Sequence, residues 1–244
     1  MTATSPARTL DVASIALVAG PALELHGAGD APETLELVGA RLRMRATVSP
    51  ATIAPAAVTI AAVTPSSTGW RATIPLLASR WGGPALAPPS GNYRLVVDGA
   101  PVSAIADTVP AAQLVPGLFR FAVRAEQGDL VFAFTPPLAD DEHGSANQAR
   151  LEAEYRAARP EPLEAVFFES FYGRNASCNP LALDRSLAAT RPDLARYWGV
   201  ADASVEVPDG AIRLVEGSAE WWRVRAGARL IVINDWLRNR YRSR

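Results

Sequence analysis

The sequence predicts a multidomain protein, in which an N-terminal antiparallel β-sandwich precedes the first part of an α/β domain. Up to about residue 138, apolar and polar residues alternate between turns rich in Pro and Gly. From residue 150, continuous apolar strands alternate with helical segments, as in a parallel sheet covered by helices. We therefore assign residues 1–138 to the β-sandwich, 139–149 to a linker and 150–244 to the α/β domain.

The β-sandwich is predicted from short strands that each have one buried face and one solvated face. Leu37 and Met44 lie on an apolar face, whereas Arg43 lies on the opposite one. The dipeptide Asp98-Gly99 follows an apolar run and is typical of a hairpin turn. About seven or eight such strands are typical of an antiparallel sandwich.

The α/β half is predicted from changes in apolar pattern and from helix boundaries. Pro160 ends the first helix, and Asn179 is the expected N-cap of the second, with Pro180 at its first position. The predicted elements are a helix at 150–159, a strand at 165–168, a helix at 180–190, strands at 196–200 and 212–215, a helix capped by Ser218 and a fully apolar strand at 230–233.

The composition excludes several classes of function. A formal net charge of −1 gives no electrostatic reason to bind nucleic acid, so we predict no nucleic-acid partner. The single cysteine, Cys178, excludes an internal disulfide and a cysteine-rich zinc site. The two histidines, His26 and His143, leave little material for histidine chemistry, and no nucleotide-loop, nucleophile-elbow or zinc-protease motif is present. The residues alone therefore predict no metal, no cofactor and no catalytic set.

Neither a membrane span nor an export signal is predicted. Residues 46–70 are uncharged and long enough to cross a bilayer, but Pro50, Pro55 and Pro65 interrupt them. We interpret this stretch as two buried strands joined by a turn. Asp11 breaks the one apolar segment that resembles a signal peptide. We expect a cytoplasmic protein, which leaves binding to a membrane surface open.

Candidate binding residues lie where two strands of the parallel sheet end. Ligands of such sheets bind at the carboxyl ends of the strands, and here one strand leads through a polar loop to a helix N-terminus, which favours an anion. The alternative is that these residues only shape the loop. The predicted acceptor or phosphate contacts are Ser170, Gly173, Arg174, Ser177 and Asn234.

The last residues form a basic tail. It is a candidate contact for an anionic membrane surface or a phosphate-bearing polymer. The alternative interpretation is a solvated helix face. The residues concerned are Arg238, Arg240, Arg242 and Arg244.

Short segments of the α/β half occur in a distinctive order. They are 166–171 (VFFESF) with Gly173-Arg174, Ser177 and Pro180; then 192–194 (PDL), 197–200 (YWGV), 207–208 (VP), 217–222 (GSAEWW) and 228–235 (ARLIVIND). As a set, residues 150–244 resemble the start of the catalytic region of CDP-glycerol glycerophosphotransferases, the teichoic acid primases and polymerases. Residues 1–149 resemble, more weakly, the β-rich extension that precedes this region in related bacterial proteins.

The resemblance implies a GT-B architecture, in which two Rossmann-like domains enclose a cleft. It implies transfer of glycerol phosphate from CDP-glycerol to a lipid-linked acceptor of cell-wall polymer synthesis, with release of CMP, at the inner face of the cell membrane. The family's Phe-x-Ser-x-x-Gly loop matches at Phe168, Ser170 and Gly173. Cys178 departs from the family, since many members carry an acidic residue there.

In the family, a His-Gly-Thr motif and then the second Rossmann-like domain follow the segment that matches here. The resemblance therefore implies that residues 1–244 are the amino-terminal portion of such a transferase, and that CDP-glycerol is bound mainly by a domain outside them. We expect no turnover from these residues alone. Two alternatives stay open: a non-catalytic adaptor or glycan-binding module, and another GT-B glycosyltransferase that uses a sugar nucleotide.

Overall fold

The chain divides into two compact units in a computed structural model that describes residues 9–53, 67–79, 82–106, 109–127 and 129–237. The first unit is drawn from Met1–Gln113 and Phe121–Phe134. The second is drawn from Leu114–Arg120 and Thr135–Arg244.

The first part of the chain folds as strands. They are β1 (Thr9–Val18), β2 (Ala22–Ala28), β3 (Leu35–Gly39), β4 (Arg43–Arg45), β5 (Thr47–Ile53), β6 (Ser67–Pro75), β7 (Ala78–Ser79), β8 (Ala85–Leu86), β9 (Gly91–Val97), β10 (Ala100–Pro101), β11 (Ser103–Ala106), β12 (Gln113–Val115), β13 (Phe119–Glu126) and β14 (Asp129–Thr135). The described residues thus hold more strands than the seven or eight predicted. Strands of two residues, such as β7 and β8, are too short to show a period of two.

These strands form two main sheets. One has the order β11-β1-β2-β6-β5, and the other the order β12-β13-β14-β9-β3-β4 with β10 paired to β9. Leu37 pairs with Met44 across β3 and β4, and both side chains are buried. Arg43 lies on the solvated face, where it contacts Glu36 at 2.6 Å. The prediction of a β-rich, mainly antiparallel first half is confirmed.

The prediction of two buried strands within residues 46–70 is only half right. Strand β6 buries Trp70 and Ala72, but β5 lies at the edge of its sheet and is largely exposed. Pro50 fits this edge position, because proline has no backbone N–H to donate and an edge strand lacks a neighbour on one side. Residues 54–66, which include Pro55 and Pro65, lie outside the described residues.

The second unit contains every helix and strand predicted for residues 150–237. The elements are α1 (Ser145–Ala157), β15 (Leu163–Glu169), a 3₁₀ turn (Phe171–Gly173), α2 (Cys178–Thr190), β16 (Ala195–Val200), β17 (Ile212–Val215), α3 (Ala219–Gly227) and β18 (Ala228–Ile233). Ser218 caps α3 as predicted, since its side chain accepts a hydrogen bond from the N–H of Trp221 at 3.1 Å.

Two helix starts differ from the prediction. Helix α1 begins at Ser145, five residues earlier than predicted. Its first turn has no large apolar residue to reveal it, since Asn147 and Gln148 are polar and donate to the loop carbonyls of His143 and Glu142. Helix α2 begins at Cys178, and Ser177 rather than Asn179 is its N-cap. The carbonyl of Ser177 already accepts from the N–H of Leu181 at 3.4 Å, the first bond of the helix.

The strands of the second unit form a parallel sheet with the order β17-β16-β15-β18. Phe167 packs with Trp221 of α3 on one face, and Phe168 packs with Leu181 of α2 on the other. The predicted parallel sheet covered by helices is therefore observed. Strand β18 is an edge strand, so its apolar side chains are less buried than predicted, and Leu230 is 51% exposed.

Candidate functional site

The carboxyl ends of β15 and β18 form the candidate site. These two strands are neighbours, although β16 and β17 lie between them in the chain. Strands β16 and β17 are thus added on one side of β15, and β18 is added on the other, so the strand order reverses at β15. In open parallel sheets this reversal point is where ligands bind, because the loops that follow the two strands diverge.

The loop after β15 has an unusual backbone. Phe171, Tyr172 and Gly173 all have left-handed φ angles, of 49°, 54° and 72°. A Cβ on Gly173 would lie 2.7 Å from the backbone nitrogen of Ala201, just after β16. Glycine is therefore required at position 173 both by its φ angle and by its close approach to the neighbouring strand.

Two side chains after β18 hold this loop. The side-chain oxygen of Asn234 accepts from the N–H of Phe171 at 3.1 Å. The carboxylate of Asp235 accepts from the N–H of Tyr172 at 2.5 Å. These bonds satisfy two backbone donors in the left-handed turn, so the end of β18 fixes the conformation of the loop after β15.

Hydrogen bonds within the loop close it on itself. The fully buried hydroxyl of Ser170 donates to the carbonyl of Asn175 at 2.8 Å and accepts from the N–H of Ser177 at 3.2 Å. The hydroxyl of Ser177 donates to the side-chain oxygen of Asn175 at 2.6 Å. Arg174 is exposed. The fold therefore brings Ser170, Gly173, Ser177 and Asn234 into one loop cluster and leaves the Arg174 guanidinium at the surface.

The sequence analysis missed a buried ion pair that joins the end of β15 to α3. Glu169 ends β15, and its carboxylate lies 3.7 Å from the guanidinium of Arg225 on α3. Arg225 is 1% exposed and lies 5.2 Å from the ring centres of both Phe167 and Trp221. The one signal in the sequence is a carboxylate directly after the apolar run 165–168.

A second buried cluster joins α2 to β16. The carboxylate of Asp184, which is fully buried, accepts from Arg196 at 2.7 Å and from the indole N–H of Trp198 at 3.1 Å. Sequence reasoning also missed these residues. The available signal is that Asp184 stands on the same helical face as Leu181 and Leu187, where an apolar residue is expected.

The other predicted site features lie elsewhere. Arg238, Arg240, Arg242 and Arg244 fall outside the described residues. Over the described ranges, no cluster of His, Cys, Asp and Glu is arranged to hold a metal ion. None of the helices in those ranges is long and apolar enough to cross a membrane.

Comparison with known families finds a match in the C-terminal part of the chain. Residues 154–244 match the family of CDP-Glycerol:Poly(glycerophosphate) glycerophosphotransferases. The resemblance drawn from the sequence is thereby confirmed for residues 154–244, here called the family-matched segment, which contains the loop cluster and all four strands of the parallel sheet. No curated protein matches the chain.

Solved structures of one protein are similar to part of the chain. The wall teichoic acid polymerase TagF is 19% identical over 41% of this chain and 25% of that chain, with a TM-score of 0.38. A variant of the same polymerase soaked with CDPG is 20% identical over 40% of this chain and 25% of that chain, with a TM-score of 0.37. The chain spans about a quarter of the length of these structures.

Proposed function

We propose that the family-matched segment is the acceptor-side part of a GT-B enzyme that transfers glycerol phosphate from CDP-glycerol. The acceptor is a lipid-linked precursor of teichoic acid or a related cell-wall polymer. In this proposal residues 1–138 are an accessory β-sandwich, and residues 139–149, which include the start of α1 at Ser145, link it to the α/β domain. The observation that carries the proposal is the family match over 154–244, which includes the loop at the reversal point of the sheet.

In the proposed reaction, a hydroxyl oxygen of the acceptor forms a bond to the phosphorus atom that carries the glycerol. The bond between this phosphorus and the bridging oxygen breaks, CMP leaves with the electron pair of that bond, and the hydroxyl proton passes to a base outside this chain. In this reaction the residues of this chain bind and orient the acceptor. The exposed guanidinium of Arg174 can donate two N–H groups to a phosphate. The hydroxyl of Ser177 lies at the start of α2, next to the positive end of the helix dipole, and would turn from Asn175 to donate to the same phosphate. We assign no base and no donor-binding group to this chain.

Titration of residues 1–244 with glycerol 3-phosphate, followed by NMR, tests the binding step. We expect shifts at Arg174 and Ser177, and binding several-fold weaker in Arg174→Gln because the charged hydrogen bonds are lost. Arg159→Gln, which removes another exposed arginine of the same unit, is the control and should bind normally. Equal binding by both variants would refute the role of Arg174.

Turnover is tested separately, by release of CMP from CDP-glycerol. We expect none from residues 1–244, and release from a longer protein that contains the second domain. A longer protein that binds the acceptor without releasing CMP would instead favour the adaptor function.

We also propose that the protein works in the cytoplasm at an anionic membrane surface, through Arg238, Arg240, Arg242 and Arg244. Co-sedimentation with liposomes that contain anionic lipid, at low and high salt, tests this. Binding should fall strongly at high salt, since salt screens the attraction between arginine and anionic lipid. A bound fraction that does not depend on salt would reject the electrostatic mode.

A further inference from the structure

A groove runs along α2 in the second unit. Its volume is about 490 Å³, which lies in the range of roughly 300–1,000 Å³ typical of small-molecule sites. It begins at Ala176, between Asn175 and Ser177 of the loop cluster, and extends to Ala188 near the end of the helix. The groove is therefore continuous with the loop to which the proposed function assigns the acceptor.

The two walls of the groove carry opposite charges. Arg185 lines it from α2, and Glu206 and Asp209 line it from the segment that leads into β17. All three residues are exposed. Within the described part of the chain, none of their charged groups has a hydrogen-bond or ion-pair partner. Charged groups on facing walls are thus available to a ligand.

The floor of the groove is fixed by the buried cluster on Asp184. Its carboxylate holds Arg196 and Trp198, and Arg196 also donates to the backbone carbonyl of Asp209 at 2.8 Å. These bonds tie the wall that carries Asp209 to the floor. The groove is therefore preorganised, which reduces the cost of ordering it around a ligand.

The charges of the groove disfavour an anionic ligand. Asp184 and Arg196 offset each other, so Arg185, Glu206 and Asp209 leave one net negative charge. A phosphate group would be repelled by the two carboxylates. Hydroxyl groups can donate to Glu206 and Asp209 and also accept from Arg185, while Leu181 and Pro208 offer apolar contact for carbon-bound hydrogens.

We propose that this groove binds one unit of a neutral, hydroxyl-rich ligand, a sugar ring or a polyol. The claim that this unit belongs to the acceptor rests on the proposed function. The claim that the groove binds such a unit does not. On this assignment, an uncharged part of the acceptor lies along α2 while its reacting end lies at the loop cluster.

NMR titration of residues 1–244 with N-acetylglucosamine and with glycerol, each tested alone, examines the proposal. We expect shifts at Arg185 and Glu206 with at least one of these probes, and affinity reduced about five-fold in Arg185→Gln and in Glu206→Gln. Ser186→Ala is the control, because Ser186 is the exposed neighbour of Arg185 on α2 and does not line the groove. Its affinity should be unchanged.

Three results would overturn the proposal: no shift at the groove with either neutral probe, unchanged affinity in both charge variants, or displacement of the neutral probe from the groove by glycerol 3-phosphate. The result is independent of turnover. Sugar binding without CMP release from the longer protein would count against the proposed transferase alone, and CMP release without sugar binding would count against the groove alone.

Discussion

The carboxylate of Asp235, just after β18, accepts a hydrogen bond from the N–H of Tyr172, just after β15. Tyr172 has φ of 54° and ψ of 42°, a left-handed conformation that costs a non-glycine residue roughly 1–2 kcal/mol. The bond to Asp235 offsets part of this cost. The loop cluster therefore owes its shape to a neighbouring strand as well as to its own sequence.

Replacement of Asp235 should loosen the loop cluster. Asp235→Ala removes the acceptor, and we expect a loss of about 1–2 kcal/mol of local stability, seen as faster hydrogen exchange of the Tyr172 amide. Asp235→Asn keeps an oxygen at the same place and should retain most of the protection. If the alanine variant exchanged at the wild-type rate, the bond would have no part in holding the loop.

Gly173→Ala should destabilise the second unit more than an ordinary substitution at a left-handed glycine. Gly117→Ala is the matched control, because Gly117 has φ of 73° and no atom within 4 Å of an added Cβ. The control should lose about 1 kcal/mol through its backbone alone. Gly173→Ala should lose clearly more in thermal unfolding, since its Cβ would meet the backbone of Val200 and Ala201. Equal losses of stability in the two variants would show that the contact of position 173 with the backbone of Val200 and Ala201 does not affect the free energy of unfolding.

Removal of Asp184 should be among the most damaging changes in the second unit. Asp184→Ala leaves the largely buried Arg196 without its carboxylate, and breaking such a pair costs about 3–5 kcal/mol. Chemical denaturation measures this loss. Asp193→Ala, which breaks the exposed pair with Arg191, should leave the midpoint nearly unchanged. A small effect at Asp184 would indicate that water readily replaces the carboxylate.

The first unit should lose stability in acid partly through Glu36. Hydrogen bonds from Arg43, and then from Arg45, hold the pKa of Glu36 below its ordinary value of 4.5. Because the folded pKa is the lower one, the ionised group stabilises the fold above pH 4.5, and this contribution disappears as the pH falls through the folded pKa.

Denaturation of the wild type and Glu36→Gln across this pH range measures the effect. The two proteins should differ most near neutral pH and converge in acid. Glu33→Gln, at an exposed carboxylate without an ion pair among the described residues, should show no such convergence. A constant difference between wild type and Glu36→Gln at all pH values would contradict the assignment.

The sequence pattern predicts long buried elements well, and contacts between distant elements poorly. Strand β15 follows from the continuous apolar run at 165–168, whereas β7 and β8 leave no pattern. The polar residues after β15 and β18 were predicted to share one edge of the sheet. The hydrogen bonds between the two loops were not predicted. They depend on the pairing of Glu169 with Ile233, which local sequence does not encode.

The same pairing sets the order in which the loop cluster is assembled during folding. Its two hydrogen bonds to Asn234 and Asp235 join residues 63 positions apart, and α2, β16, β17, α3 and β18 lie between them in the chain. Closure of such a long loop carries an entropic cost that local helices do not meet, so these contacts form late. During refolding, recovery of the Tyr172 amide signal should therefore lag behind recovery of helical circular dichroism.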